Sequence, residues 1–325
     1  MGRPVPRIRG YEAFVLLSGA AIVLLMRVLA HLRFAIFLSL AADWMFGAAI
    51  GAALLAGFAV RLAGLAASHG PSFARRRLGM LLRPASLLDI ARLSLLGLLV
   101  YWTHTWLKVM VPVLNSTLFD GVLYRLENVV HFGINPGRFI LALFPYPFLW
   151  RAVDTYYATF MPSLLLGIGW AGTAFVRRER ARFAAGFAIL WISGSWIYLA
   201  LPSLGPCYVF PADYAEMRRH APVQAATQDL LARHYAMMCR LREGSPPGRI
   251  APVLGIGAMP SLHVAAQAFF AFWARRRSRF VFRLAAACTA LTLFGSVVTG
   301  WHYALDGYAG LALAWASARA GERLG

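Results

Sequence analysis

Long apolar runs separated by short basic segments are the feature of this sequence that most restricts its fold. A helix needs about 20 mainly apolar residues to cross a bilayer, and eight windows of the 325-residue chain approach that length. Backbone amides inside lipid must find partners within their own segment, which favours helices. The predicted spans are 11–30, 34–60, 86–108, 155–176, 183–203, 260–275, 281–300 and 303–319. The sequence therefore predicts an all-α, polytopic integral membrane bundle of about eight helices.

The composition agrees with a membrane protein and excludes an ordinary soluble domain. Hydrophobic residues make up 60% of the chain and charged residues only 14%, whereas a soluble domain carries about 25% charged residues. The net charge of +19 could indicate nucleic-acid binding, but the basic residues cluster between the apolar runs. We interpret them as topology determinants that also attract anionic lipid, and we expect no nucleic-acid partner.

The arginine clusters predict the orientation of the chain. They precede the first span and follow the second, fourth and sixth, so all of them fall on one side of an eight-span arrangement. Positive charge marks the cytoplasmic side. We therefore expect both termini in the cytoplasm and, because arginine dominance suggests a GC-rich bacterium, an inner membrane whose other face meets the periplasm. The clusters are Arg3, Arg7 and Arg9; Arg75, Arg76 and Arg77; Arg177, Arg178, Arg180 and Arg182; Arg275, Arg276, Arg277 and Arg279.

Two units are predicted along the chain. Residues 1–84 form a transmembrane hairpin with an arginine-rich cytoplasmic loop, and its first helix is expected to stay as an anchor. Residues 85–325 form the second unit, with an outer segment at 109–154 and a loop at 204–258 that is too long to be a simple connector. Apolar residues recur at helical spacing in the outer segment, so amphipathic or re-entrant helices at the outer interface are expected there. They are Leu118, Val122, Leu126, Val129 and Val130.

Two of the three cysteines lie in the 204–258 loop. In the predicted orientation, Cys207 and Cys239 are extracytoplasmic, where disulfides form. A bond between them would stabilise the fold by about 3–4 kcal/mol, and two unpaired thiols are the alternative. Cys288 lies within a span and is expected to be a small packing residue.

Polar residues collect at three helix ends on the predicted outer face. In "GWHYALDGYAG", His302 and Asp306 are four residues apart, so a helix through both would place them on one face. The carboxylate could then hold one imidazole nitrogen and leave the other as an outward lone pair. Such a nitrogen can attack phosphorus.

The stretch "AMPSLHVAAQ" begins the sixth span with residues that a purely apolar helix does not need. Pro260 favours helix initiation, and the free amides of the first turn, with the Ser261 hydroxyl, could bind an anion. His263 could give a proton to a leaving oxygen near neutral pH. A lone interfacial histidine is often only packed, but ionisable groups at membrane-embedded helix starts tend to be functional.

Three further residues are candidates for substrate binding. His104 and Lys108 are four residues apart near the outer end of the third span and could reach a phosphate. The alternative for Lys108 is a side chain that extends to the lipid headgroups. Tyr208 belongs to the sequence GPCY after the fifth span.

These motifs resemble a known family. "MPSLHVAA", followed about forty residues later by "GWHYALDGYAG", resembles the second and third signature motifs of the type 2 phosphatidic acid phosphatase (PAP2) superfamily. GPCY and the HYxxD form of the last motif are most similar to its inositolphosphotransferase branch, which includes inositol phosphorylceramide synthase. The segment "LNSTLFDGVLYRLENVVHFGINPG" extends the resemblance towards residue 115.

The resemblance implies a role for each matching residue. His302 would be the nucleophile that forms a phosphohistidine, and Asp306 would orient it. His263 would act as general acid and later as base, while Ser261 would donate a hydrogen bond to the phosphate. The family fold is a core of six helices, so two of the eight spans would be additions, most simply the first two. Neither a metal nor another cofactor is implied.

The chain departs from the phosphatase branch where that branch binds phosphate with basic residues. No Lys or Arg occurs between Arg182 and Arg218, and Ser296 stands six residues before the nucleophile, where an arginine is expected. A phosphate dianion needs several donors or cations. Candidates elsewhere are Lys108, Arg125, Arg138, Arg151 and Arg218. The departure favours a phosphodiester-like lipid or a transferase pocket.

The sequence thus predicts an enzyme acting on a lipid-linked phosphate at the extracytoplasmic face, with membrane lipids as donor and possible acceptor. An alcohol acceptor would make it a phosphotransferase, which the missing cations favour, and water would make it a phosphatase. A transporter would place polar residues near the midplane and show internal repeats, which this sequence lacks. A non-catalytic lipid-binding relative could tolerate broken motifs, whereas here they are intact.

Overall fold

The computed structural model describes residues 8–29, 44–245 and 250–325, which are helical without a β-strand. The all-α prediction is therefore confirmed. The helices of these ranges are α1 Gly10–Leu29, α2 Trp44–His69, α3 Pro71–Leu81, α4 Pro84–Leu114, α5 Asp120–Val130, α6 Pro136–Leu143, α7 Pro147–Ala158, α8 Phe160–Gly172, α9 Arg177–Ala200, α10 Pro206–Val209, α11 Ala215–His220, α12 Pro222–Arg242, α13 Leu262–Ala274, α14 Arg279–Val298 and α15 Ala304–Leu324. Short 3-10 turns cover Pro211–Tyr214 and Pro252–Leu254.

Four helices of the described ranges are long and apolar enough to cross a membrane, judged by length and composition. They are α1, α4, α9 and α14. The Leu54–His69 part of α2 and the whole of α13 are apolar but shorter. The predicted span 34–60 lies partly outside the described residues. Of the eight predicted spans, four thus meet this criterion, and the others are shorter, more polar, broken or only partly described.

The predicted span 155–176 is two helices in the structure. α7 ends at Ala158, Thr159 forms the junction, and α8 begins at Phe160. The physical cause is Pro162, which lacks an N–H and whose ring would clash with the carbonyl of Ala158 in a continuous helix. In the first turn of a new helix the missing N–H is not needed, so one helix ends and the next begins just before Pro162.

The bundle is assembled around α13. This helix packs along α14 and α15, while α9 packs on α15 and α4, α1 packs on α4, and α2 packs on α8. Leu262, Phe269 and Trp273 of α13 meet Phe183 and Leu190 of α9 in the largest apolar cluster. These contacts hold the N-terminal ends of α13 and α15 side by side.

Ion pairs occupy the opposite end of the bundle. The Arg180 guanidinium lies 2.7 Å from the Asp89 carboxylate, and both side chains are buried. Arg277 of the loop after α13 lies 2.9 Å from Glu322 near the end of α15. Along α4, Asp89 and Lys108 are separated by 19 residues, which corresponds to about 28 Å of helix. The arginine-rich end and the start of α13 therefore lie far apart.

The outer segment forms the short helices α5, α6 and α7, as predicted. On α5 the apolar side chains face outward, and Leu126 and Val129 are 48% and 74% exposed. The carboxylates of Asp120 and Glu127 face inward and are 3% and 2% exposed. This arrangement is the reverse of a soluble helix. It suits an element whose outer face contacts an apolar environment.

Candidate active site

The two sequence motifs meet at the adjoining starts of α13 and α15. The Ser261 N–H donates to the Asp306 carbonyl at 2.8 Å. A Cβ at Gly310 would lie 2.5 Å from the Ser261 carbonyl oxygen, so glycine is required for this close approach. Each motif is thus held in register by the other.

Ser261 and Pro260 occupy other positions than the sequence predicted. Ser261 is the N-cap of α13, is 0% exposed, and its hydroxyl accepts the Val264 N–H at 3.4 Å. Pro260 precedes this cap, so it does not form the first helical turn. The prediction that Pro260 initiates the helix is wrong because the capping residue, and not the proline, supplies the acceptor for the first free amide.

His302 and Asp306 are adjacent, but not for the predicted reason. His302 lies before the N-cap of α15, Tyr303, so the pair does not share a helical face. A turn after α14 brings them together: Gly300 has φ 71°, and the His302 N–H donates to the Ser296 carbonyl at 3.2 Å. The His302 Nδ1 to Asp306 Oδ2 distance is 3.6 Å.

The surroundings of His302 determine its tautomer. Its Nδ1 lies 2.9 Å from the Ala258 carbonyl oxygen and 3.6 Å from the Asp306 carboxylate, and both of these groups are acceptors. Nδ1 therefore carries the proton, and Nε2 presents its lone pair. This is the nitrogen that a nucleophile at position 302 would use.

His263 lies directly against that lone pair. Its Nδ1 is 3.2 Å from His302 Nε2, so the His263 ring donates from Nδ1 to this lone pair. Phe160 and Tyr157 pack on the His263 ring, with centroid separations of 4.6 and 5.3 Å. A ligand group could contact both imidazoles only after it replaced this hydrogen bond.

Asp306 is positioned to compensate positive charge on His302. It is 0% exposed, and its Oδ2 accepts the Tyr303 N–H at 2.8 Å. Its Oδ1 is buried without a hydrogen-bond partner among the described residues. A buried carboxylate interacts strongly with a neighbouring charge because little water screens it. The arrangement stabilises positive charge on the imidazole at position 302.

A cavity of about 800 Å³ leads to the two histidines. His104, Lys108, Tyr157, His263 and His302 line one part of it. Mainly apolar side chains of α2, α4, α8, α9 and α12 line the rest, together with Arg180 and Gln224. Along α4 the lining extends from Ile90 to Lys108, which corresponds to about 27 Å. The cavity therefore joins a polar end, which contains both imidazoles, to a longer and mainly apolar cleft.

A family model described as the PAP2 superfamily matches residues 121–320, from α5 to the last turns of α15. The chain belongs to the PAP2 superfamily. The comparisons with curated proteins and with solved structures found no match. Members of the superfamily are lipid phosphatases and phosphotransferases, so this PAP2 protein is expected to be an enzyme. Its apolar helices agree with an integral membrane protein.

Two buried acids of the PAP2 protein hold the segments around its histidines, and sequence reasoning missed both. The Asp120 carboxylate accepts the N–H groups of Leu204 and Gly205 at 3.0 and 2.9 Å, and the Tyr303 hydroxyl at 3.2 Å. It therefore ties α5 to the loop after α9 and to the cap of α15. The available signal was the seven-residue spacing of Asp120 and Glu127, which places both acids on one face of an amphipathic helix.

The second acid, Glu127, holds the first residue of α15. Its carboxylate accepts the N–H of Ala304 and the side-chain amide of Asn135. Burial, together with the charge of Asp306, raises the pKa of Glu127 to about 6. Because Glu127 takes a free amide at the start of α15, that helix end is not available for phosphate.

The predicted substrate-binding residues divide into two groups. His104 and Lys108 line the cavity, and His104 Nδ1 lies 2.7 Å from the Ser195 hydroxyl. Ser261, Pro260 and Tyr208 are not among the lining residues of the described chain. The Tyr208 hydroxyl instead donates to the Gln228 carbonyl at 3.3 Å, which connects α10 to α12.

The predicted disulfide is not formed. Cys207 and Cys239 are both free thiols, and so is Cys288. Cys207 is 3% exposed and packs with Trp150 and Tyr214, and burial raises the pKa of its thiol. Cys239 lies on α12. The disulfide prediction is wrong because Cys207 is enclosed in an apolar cluster with Trp150 and Tyr214, and Cys239 is not part of that cluster.

Proposed function

We propose that this PAP2 protein is a membrane-embedded lipid phosphotransferase that works through a phosphohistidine. The observation that carries the proposal is the pair of imidazoles 3.2 Å apart at the polar end of an apolar cavity. One ring presents a lone pair and is backed by a buried carboxylate, and the other is placed to move a proton. The cleft provides an apolar site for the lipid chain of the donor.

In the first step, His302 Nε2 attacks the phosphorus of a lipid-linked phosphate. The N–P bond forms as the bond from phosphorus to the leaving oxygen breaks, and the imidazolium of His263 gives its proton to that oxygen. The Asp306 carboxylate stabilises the positively charged phosphoimidazole. Its Nδ1 keeps its proton and donates it in a hydrogen bond to the Ala258 carbonyl.

In the second step, a hydroxyl of the acceptor attacks the phosphohistidine. His263, now neutral, removes the hydroxyl proton while the new P–O bond forms and the N–P bond breaks. His302 returns to its resting tautomer and His263 to its imidazolium form. An alcohol as acceptor completes a transfer, and water completes a hydrolysis.

Transfer is favoured over hydrolysis by the packing around His263. Phe160 and Tyr157 cover the ring, and the cavity beyond it is largely apolar, so bulk water has restricted access. The outer segment α5–α7 supplies Tyr157 and would act as a lid over the lipid donor. The alternative is a lipid phosphatase of the same mechanism with water as acceptor.

The reaction is proposed to take place at the extracytoplasmic face of a bacterial inner membrane, with both termini in the cytoplasm. The support is the arrangement of arginines, which gather at the end of the bundle opposite to the histidine pair. Donor and acceptor lipids would then come from the outer leaflet.

The proposal is tested with His302→Ala in purified protein. We expect loss of turnover of at least about 1,000-fold, because no other group replaces the nucleophile. Radiolabelled donor should leave a protein-bound phosphoryl group on the wild type and none on the variant. His69→Ala is the matched control, since His69 is exposed on α2 and does not line the cavity.

Transfer and hydrolysis are separated by the acceptor. Diacylglycerol or ceramide, added to the labelled phosphoenzyme, should yield a labelled lipid faster than water releases phosphate. Faster release to water would assign the phosphatase alternative. A folded His302→Ala protein with near-normal turnover would remove the enzyme mechanism altogether.

A further inference from the structure

The cavity contains a cation without an acidic partner. Lys108 is the only lysine of the chain, and its ammonium lies 5.5 Å from the centroid of the Tyr198 ring. Within the described ranges it forms no ion pair, and no carboxylate lines the cavity. Arg180, the other basic lining residue, is paired with Asp89 at 2.7 Å. The polar end of the cavity therefore has one uncompensated lysine charge.

The other basic candidates lie elsewhere. Arg138 and Arg218 have carboxylate partners at 2.8 and 2.6 Å. None of the four candidate arginines belongs to the cavity lining in the described chain; they are Arg125, Arg138, Arg151 and Arg218. Lys108 is thus the basic residue that is placed to replace the missing cations.

Tyr157 supplies an unused donor in the same cavity. Tyr157 is only 6% exposed, and its hydroxyl has no hydrogen-bond partner among the described residues. Its ring packs against His263 at a centroid separation of 5.3 Å. Buried hydroxyls normally find a partner, so an oxygen atom of a ligand is the natural one here.

Lys108 is also connected to the segment that orients the nucleophile. A Cβ at Gly255 would lie 2.9 Å from Lys108 Cγ, so this loop passes directly over the lysine stem. Three residues later, the Ala258 carbonyl accepts from His302 Nδ1. An anion held by Lys108 therefore lies beside the loop that fixes the attacking ring.

We infer that Lys108 and Tyr157 bind the phosphate of the substrate and that this pair selects a phosphodiester lipid; the inference rests on the proposed function. A phosphodiester has one negative charge, which one ammonium neutralises. A phosphomonoester approaches two charges at neutral pH, and a diphosphate has more. In a poorly solvated cavity each uncompensated charge weakens binding. The negative charge of Asp306 balances the positive charge of one protonated imidazole. The ammonium charge of Lys108 is therefore available to neutralise the ligand.

The experiment compares variants on three donor classes in detergent micelles. The donors are phosphatidylglycerol, a diester; phosphatidic acid, a monoester; and undecaprenyl diphosphate. For the wild type, kcat/KM should be highest for the diester. Lys108→Met should raise KM for the diester about 100-fold and Lys108→Arg much less, while Tyr157→Phe should raise it about 10-fold. Tyr156→Phe and Arg125→Met are controls with unchanged KM, since neither residue lines the cavity.

The outcomes separate this inference from the proposed function. If KM stays within about twofold in Lys108→Met and Tyr157→Phe, while His302→Ala is inactive, phosphate recognition by the pair is wrong and the phosphohistidine mechanism stands. A wild-type preference for the monoester or the diphosphate would overturn the selection of a diester. Turnover by His302→Ala would instead overturn the proposed function.

A second measurement does not depend on the folding of a variant. Lys108 is the only lysine, so reductive ¹³C-methylation, which keeps the charge, introduces a single side-chain probe apart from the terminal amine. Titration of the wild-type protein with phosphatidylglycerol should shift its NMR signal in a saturable way, and a neutral diacylglycerol should not. An unchanged signal at saturating diester would overturn the inference.

Discussion

At the scale of single residues, the site depends on which atoms accept and which donate. His302 Nδ1 faces a carbonyl and a carboxylate, so its proton is fixed and its reactive nitrogen is exposed to His263. The sequence places His263, His302 and Asp306 at helix ends and therefore predicts that they meet. It does not show that Ser261 is used as a cap or that the Ala258 carbonyl holds the ring, because both depend on loop conformation.

Asp306→Asn tests the electrostatic role of the carboxylate. The amide oxygen can still accept the Tyr303 N–H, so the variant should fold with a thermal midpoint close to that of the wild type. Without the negative charge, kcat should fall at least about 100-fold, as in hydrolases whose histidine loses its partner carboxylate.

The measurement is single-turnover formation of the labelled phosphoenzyme. Asp229→Asn is the control, because Asp229 is an exposed partner of Arg218. A folded Asp306→Asn protein with a rate within about threefold of the wild type would show that the carboxylate does not act on His302.

At the scale of elements, sequence periodicity predicts the helix α5 but not which of its faces is buried. The apolar spacing of Leu118 to Val130 predicts a helix with one apolar face, and the structure confirms the helix. The periodicity does not show that the opposite, acidic face is the one buried against α15. That outcome depends on the free amides of Leu204, Gly205 and Ala304, which come from distant segments.

Glu127→Gln tests the burial of this acidic face through pH. The pKa of Glu127 is raised from 4.5 to about 6 by burial, so the folded state binds the proton more tightly than the unfolded state. Its stabilising contribution is therefore fully present below about pH 4.5 and is lost as the pH rises through about 6. The difference corresponds to ~2 kcal/mol.

The readout is the thermal unfolding midpoint of both proteins between pH 4 and pH 8. Relative to Glu127→Gln, the wild type should lose stability as the pH rises, because the variant stays neutral. The exposed Glu216→Gln serves as the control. Parallel curves for wild type and Glu127→Gln would mean that Glu127 does not titrate as a buried group.

At the scale of the whole molecule, the two ends of the bundle differ in the charged residues that they contain. The Asp89–Arg180 and Arg277–Glu322 pairs occupy one end, and the cavity brings Lys108 and the imidazoles to the other. A membrane protein with this distribution is expected to keep its arginine-rich end in the cytoplasm.

Thiol accessibility measures that orientation. Cys239 is a partly exposed free thiol on α12 and should react with a membrane-impermeant maleimide in intact cells. A cysteine introduced as Arg178→Cys in a Cys239→Ser background should react only after the cells are lysed. Cys207 is buried, so it contributes little background. Labelling of position 178, but not of Cys239, in intact cells would reverse the proposed topology.

The sequence by itself determined the helical membrane class, the positions of the long apolar helices α1, α4, α9 and α14, and the two motifs that contain His263, His302 and Asp306. These follow from hydrophobic runs and from residue types at fixed spacings, which are local properties. The tertiary structure decided that the two loop cysteines stay apart and that Tyr157 and Lys108 share one cavity. Such pairings arise from packing between segments far apart in the chain, and no local pattern specifies which buried donors, acceptors and charges will meet.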